Sequence, residues 1–465
     1  MSERPVMTNK NSFLGTENIG KLIIKFAVPA VLSMLVNALY NIADQIFIGQ
    51  SVGMLGNAAT NVAFPLTTIA TSIALLLGIG TASNFNLEMG KGNNERAEHI
   101  ACNGLSYLMI SGVVLFLISL IFLKPLIVFF GATEQVIPYA YTYTGITVLG
   151  MPFFIFNVGG SHIIRADGSP KYAMASTITG ALINVVLDYI FIFKFNMGIA
   201  GAAWATIIGQ FISSLLTFRY LYRFKSIKIS LTKMKPKLTY LKVIASLGMA
   251  SCFNQLAMTV VQITLNNTLR FYGESSIYGS DIPLACVGVI SKVNILFLAF
   301  AIGIAQGCQP IIGFNYGAKN FNRVKETYFK AITTITCISI AAFLCFQFYP
   351  RQIVGVFGSG SETYFEFAEK YFKIYMFMTF ANGIQPVTAN FFTSIGKAKK
   401  GIFISMTRQI IFLLPLILII PRFLGIEGVM YAGPMADFAA AILSSVLVIK
   451  EMTLMKNEES IIKLI

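Results

Sequence analysis

Two aspartates lie deep inside apolar stretches of this chain, Asp44 in YNIADQIFIG and Asp188 in NVVLDYIFIF. A carboxylate among apolar residues is costly unless it faces a cavity or meets a partner. The spacing supplies candidates. Asn37, Tyr40, Asn41 and Asp44 recur at helical intervals and share one face. Asn184 and Asp188 are four residues apart, as are Thr206 and Gln210, and Asn157 sits beside Phe153, Phe154 and Phe156. Two carboxylates with amide and hydroxyl oxygens suit two tasks. Oxygen ligands fit a hard cation, and two carboxylates held together away from water favour binding a proton. Each polar residue alone would also serve as an ordinary hydrogen bond between helices.

Further along, Ser251, Gln255, Thr259, Gln262 and Asn266 form a polar stripe on one helical face, the pattern of a wall beside water. Lys292 and Asp437 fall near the middles of apolar runs and are candidates for an ion pair. Arg408 is shallower and is expected to reach the interface on the inner side. With 40 Phe and 19 Met in the chain, an aromatic, adaptable cavity would suit flat lipophilic cations.

The elements that must position these groups follow from composition. Of 465 residues, 12% are charged and 55% hydrophobic, with mean hydropathy +0.71. Soluble domains carry about 25% charged residues, so this chain cannot cover a water-facing surface. Disorder is excluded on the same ground. Apolar runs long enough to cross a bilayer occur twelve times, near 22–48, 57–82, 100–123, 138–163, 172–195, 199–222, 243–269, 283–312, 327–349, 364–394, 399–420 and 426–449. The runs near 138 and 364 are the most polar. Twelve long runs without alternation require helices rather than a barrel. The first twenty residues lack the apolar core and cleavage site of a signal peptide.

The net charge is +15. Placing both termini on the cytoplasmic side puts roughly three quarters of the Lys and Arg there, which the positive-inside rule favours. Residues Arg219 to Lys242 hold eight of these bases and no acid, the mark of an inner anchor between two halves. The bases are spread over loops, so a nucleic-acid surface is not expected. Six scattered cysteines and two histidines give neither a disulfide framework nor a metal or catalytic cluster, which argues against an enzyme.

The chain also repeats itself. GKGNNERA from Gly90 and GAKNFNRV from Gly317 align at a separation of 227 residues, as do MGIAGAAWAT from Met197 and LGIEGVMYAG from Leu424. Six spans per copy give two parallel repeats, the arrangement of transporters with a site between their halves. The expected fold is an all-α polytopic membrane protein of twelve transmembrane helices in two pseudo-symmetric six-helix bundles. Residues 1–225 form the first bundle, 226–242 a basic linker and 243–465 the second. The acids belong to one half only, since Pro415, Ile411 and Gly433 stand 227 residues beyond Asp188, Asn184 and Thr206.

NALYNIADQIFIGQ, RADGSPKYAM, NVVLDYIFIF with GIAGAAWAT, and QGCQPIIGFNYGAKN together resemble the multidrug and toxic compound extrusion (MATE) family, its MepA-like and DinF-like bacterial members above all. The resemblance spans nearly the whole chain. It implies drug efflux across the bacterial cytoplasmic membrane in exchange for H⁺ or Na⁺, by alternating access, without a cofactor and as a monomer embedded in lipid. It implies a cation site at Asp44, Asn184, Asp188 and Thr206. A cleft for lipophilic, cationic drugs is expected at Asn37, Tyr40, Asn157, Gln255, Thr259, Gln262 and Lys292. Some members of the family use acids in the second bundle, but the seventh span has Asn254 and Gln255 there and no acid. The alternative is a flippase for lipids or lipid-linked oligosaccharides, which would need a more cationic cleft.

Overall fold

The structure, a computed structural model, describes residues 12–230, 232–279, 281–357 and 361–464. Among these residues no strand forms. In hydrocarbon every backbone polar group needs a partner within its own segment, and helices supply it. A one-turn helix, Phe13–Thr16, precedes the first half, which comprises α1 (Ile19–Ser51), α2 (Met54–Gly90), α3 (Asn94–Ile121), α4 (Ile137–Leu149 and Met151–Ala166), α5 (Pro170–Lys194) and α6 (Gly198–Leu221). The second half comprises α7 (Leu238–Glu274), α8 (Asp281–Gly317), α9 (Phe321–Phe348), α10 (Glu362–Tyr375, Thr379–Asn382 and Ile384–Ser394), α11 (Ala398–Leu424) and α12 (Ile426–Leu464).

Ten of these are unbroken helices long and apolar enough to cross a membrane, and the two parts of α4 make an eleventh, bent by 54°. The twelfth expected span, α10, is divided into three pieces. The two broken elements are the two most polar runs. In α4 the bend falls at Gly150, just before Pro152, which has no N–H to give the helix ladder. In α10 the Thr379 hydroxyl bonds the Met376 carbonyl at 2.6 Å within the interruption. Two other spans carry a π-helical turn, Tyr189–Lys194 in α5 and Thr407–Leu413 in α11.

The repeat is written in the backbone. Left-handed corners recur at Gly92 (φ 79°) and Lys319 (φ 58°), and at Gly198 (φ 54°) and Gly425 (φ 59°), both pairs 227 residues apart. Gly168 and Gly396, both at φ 80°, recur one residue further on. Asn93 and Asn320, also a 227-residue pair, stand at the N-caps of α3 and α9.

Each half has its own apolar core, one around Leu66, Leu108 and Ile155, the other around Leu265, Phe367 and Val429. A third core joins Leu14, Phe26 and Phe85 to Ile304, Phe314 and Phe321, and so spans both halves. It lies at the end bearing the basic loops, hereafter the inner end. Here α2 crosses α7 and α8, and α1 crosses α8, backbone against backbone. A Cβ added to Gly90 would stand 2.0 Å from the Phe314 carbonyl oxygen, and one on Gly317 2.2 Å from that of Leu87. These contacts are reciprocal, because Phe314 is the repeat partner of Leu87. Gln309 donates across the seam to Ser83 Oγ (2.7 Å), and Asn84 to the Val243 carbonyl (3.0 Å). Towards the outer end the cores separate, and Ile69, Gln262 and Asn266 are exposed.

The linker lies against the first bundle. Asp167, at the inner end of α4, accepts hydrogen bonds from the Tyr220 hydroxyl (2.6 Å), the Lys225 and Ser226 amides (2.7 and 2.9 Å) and the Ser226 hydroxyl. Burial raises this carboxyl above its usual range, and these donors pull it back. Ser106 and Asn103 of α3 hold the carbonyls of Met234 and Lys233, and Lys233 pairs with Glu98 at 2.9 Å.

Candidate functional site

The polar face of α1 is set by the seam. Ala27 and Val31 pack on Gly307 and Gly303 of α8. Asp44 lies thirteen residues beyond Val31, which at 3.6 residues per turn puts it on the far side of the helix. It therefore points into the first bundle, where α1 packs on α5, and not into the space between the halves. Its carboxyl neighbours that of Asp188, and Tyr40 and Tyr143 stand beside both. Asn184, one turn before Asp188, donates to Thr206 Oγ1 at 3.3 Å.

Asp188 is fully buried, and Asn184 is 3% exposed. Both oxygens of Asp188 lack a hydrogen-bond partner, as do Asp44 Oδ1, Asn184 Oδ1 and, one turn beyond Thr206, Gln210 Oε1. A buried acceptor left unpaired costs about 1–3 kcal/mol, more when charged. Several gathered at one level of one bundle form a place for something that donates or coordinates. Two carboxylates with amide and hydroxyl oxygens accept a proton or a hard cation such as Na⁺. Among the described residues no group of three or more His, Cys, Asp or Glu gathers to hold a metal ion, so the donor set rests on neutral oxygens around the two acids.

The structure thus brings together Asp44, Asn184, Asp188 and Thr206, with Tyr40 and Asn37 on the same face of α1. Gln255, Thr259, Gln262 and Lys292 stand elsewhere, on the second half. Asn157 belongs to neither group. Its side-chain oxygen takes the hydroxyls of Thr217 (2.9 Å) and Ser176 (3.5 Å), tying α4 to α5 and α6.

The expected Lys292–Asp437 pair does not form. Asp437 binds Arg408 Nε instead, with both side chains less than a tenth exposed. Arg408 therefore does not reach the inner interface as expected. It lies in the π-helical turn of α11, whose extra residue turns the side chains around it. Tyr375 stands in the field of the pair. Its ring closes over Gly433, where an added Cβ would lie 2.6 Å from it.

Sequence reasoning missed Tyr143. It comes from the broken α4, faces both acids and bonds Thr206. The only signal was its place in a polar, tyrosine-rich run, Tyr139 to Tyr143.

The family model MatE matches residues 29–190 and 250–419. The chain belongs to the MatE family. The two matched segments fall one in each half, as the repeat requires. Among relatives, the chain is 22% identical to the multidrug export protein MepA of Staphylococcus aureus strain MRSA252 over 429 residues, 92% of this chain and 93% of that one. MepA of Staphylococcus saprophyticus is likewise 22% identical, over 436 residues that cover 93% and 94% of the two chains. Among solved structures, an outward-facing multidrug resistance MATE family transporter of the MOP superfamily superposes with a TM-score of 0.90 at 24% identity, covering 97% of this chain and 99% of that one. This MatE chain is a multi-pass membrane protein of a transporter family, and not an enzyme.

Proposed function

We propose that this MatE protein exports lipophilic drugs across a bacterial cytoplasmic membrane in exchange for H⁺ or Na⁺, which binds at Asp44 and Asp188. The MepA relatives support the cargo class. The observation that carries the coupling site is the set of partnerless buried oxygens on Asp44, Asn184, Asp188 and Gln210. Asn184, Asp188, Thr206 and Tyr143 complete the shell around the ion. The basic linker supports cytoplasmic termini.

With the inner seam closed and the outer ends parted, cations from outside reach the acids. Neutralising two carboxylates in the core of the first bundle removes their repulsion and lets its helices repack. That favours release of the drug outward. When the inner side opens, the cation leaves, the carboxylates recharge and drug binds again. A ligand shifts such an equilibrium only through different affinities for the two states, so ion and drug prefer opposite ones. The membrane potential adds about 2.3 kcal/mol per charge per 100 mV. Each cycle is carried by one chain, as a monomer.

The test is drug efflux from proteoliposomes with pH and Na⁺ gradients imposed separately. Asp44→Asn and Asp188→Asn proteins that reach the membrane folded should lose gradient-driven efflux. Near-normal efflux in both would remove the acids from the coupling site, and the gradient that drives wild-type efflux identifies the ion.

A further inference from the structure

We infer that the cleft between the two bundles binds the anionic group of an amphiphile at Lys292, so that its preferred cargo carries a carboxylate, sulfonate or phosphate, alone or beside a cationic group. The inference rests on the transport reading above and gives the cargo its charge.

The seam identifies which side of each helix faces the cleft. On α8, Gly303 and Gly307 touch α1. Lys292 is eleven residues before Gly303, three helical turns, and so lies on the same side where the bundles have parted. On α7, Gly248 touches Leu76 of α2. Gln255, Thr259, Gln262 and Asn266 continue that side outward at helical spacing. Gln262 and Asn266 are exposed and bond each other at 3.0 Å. The opposite wall is apolar. Leu35, Ala38 and Ile42 continue the Ala27–Val31 side of α1, and Ile69 and Ile73 continue the Leu76 side of α2.

Charge in this space is one-sided. Asp44 is turned into the first bundle with Asp188, and Asp437 is taken by Arg408. Arg270, near the outer end of α7, is paired with Glu274 at 3.5 Å. Lys292 is half-buried and, among the described residues, has neither an ion pair nor a hydrogen bond. It acts on none of Asp44, Asp188 and Asp437. A lone ammonium between a polar wall and an apolar wall recognises an amphiphile by its anion. Gln255, Thr259 and Gln262 supply hydrogen bonds beside it, while the α1 and α2 wall takes the apolar part.

Rhodamine B and its ethyl ester differ by one carboxylate and make a matched pair of probes. Their binding to the full-length protein in POPC nanodiscs is read by fluorescence polarisation. Lys292→Ala should weaken rhodamine B by about tenfold, the range of a charged hydrogen bond, and leave the ester nearly unchanged. Lys292→Arg should restore rhodamine B. Equal effects on both probes, or none on either, would overturn the inference. Replacing part of the POPC by POPG separates the sources of the anion. Displacement of rhodamine B from the wild type by POPG makes the anion a lipid phosphate, and no displacement makes it part of a soluble cargo; both support an anion site. If proteoliposomes export the ester under an ion gradient while Lys292 proves indifferent, the transport reading stands without this inference. If neither probe is bound or moved, both fall.

Discussion

The reciprocal glycine contact at the inner end gives a test of how the two halves move. In Gly90→Ala the new Cβ would lie 2.0 Å from the Phe314 oxygen and 2.9 Å from its carbonyl carbon. Ordinary contact begins near 3.4 Å, so α2 and α8 must part there by about 1.4 Å. Both clashing groups are backbone, and no rotamer can relieve them. Overpacking of this kind costs about 1–3 kcal/mol. The cost falls only on the state with a closed inner seam, since parting the inner ends removes the clash. Taking ~2 kcal/mol, the ratio of the two states shifts about 30-fold toward the inward-open one, at 1.4 kcal/mol per tenfold. Gly317→Ala, 2.2 Å from the Leu87 oxygen, should act alike because it is the repeat partner. The assay is pulsed electron–electron distance measurement between spin labels at Met54 and Ile277, both highly exposed at the outer ends, in a protein with the exposed Cys337 and Cys345 replaced by Ser. The outer distance should shorten in both variants. Gly288→Ala is the control, because a Cβ there meets nothing within 4 Å. Folded Gly90→Ala and Gly317→Ala proteins with the wild-type distance distribution would refute the seam as a gate.

Two further predictions concern the charged and phenolic groups of the bundles. Arg408→Met alone strands Asp437 and should cost about 3–5 kcal/mol, whereas Arg408→Met with Asp437→Leu should return close to wild type; thermal unfolding in detergent compares them. Tyr143→Phe removes a hydroxyl that bonds Thr206 beside both acids. It should weaken ion-driven efflux several-fold, by the about 1 kcal/mol of one hydrogen bond, without lowering the unfolding temperature by more than a few degrees.

Much of this architecture is legible in the sequence because a membrane imposes a simple code. Apolar runs of fixed length give the spans, and the Gly90 and Gly317 motifs give the repeat. Asn184, Asp188 and Thr206 were found because helical spacing puts them on faces that can meet. Arg408 was misread because a π-helical turn changes which side of α11 it occupies, and that turn leaves no mark in the hydrophobic pattern. Tyr143 reaches the acids only through the bend at Gly150, so its spacing along the chain carries no information about them. Asn37 and Tyr40 were placed in the central cleft because a sequence shows that they share a face with Asp44, but not that this face turns away from the seam. Lys292 was visible as a buried lysine, but its lack of a partner emerged only once Asp437 was seen to be bound elsewhere.

The repeat keeps its backbone and changes its chemistry, which has a consequence for transport. Rocking about an axis between the halves must open both seams together, so the corners and close glycines are kept in pairs. Ion binding needs only one bundle to repack, and the second bundle neutralises its own buried charge through Arg408 and Asp437. On this division the first bundle responds to the ion, and the second presents the cargo wall with Lys292. The two functions should then separate by mutation. Lys292→Ala should change which of rhodamine B and its ester is exported faster, through KM, while the dependence of efflux on the ion gradient stays as in the wild type. Asp188→Asn should abolish gradient-driven efflux while leaving the relative affinities for the two dyes intact. A Lys292→Ala protein with an altered gradient dependence, or an Asp188→Asn protein with reversed dye preference, would show that ion and cargo share one set of groups, and the division between bundles would fail.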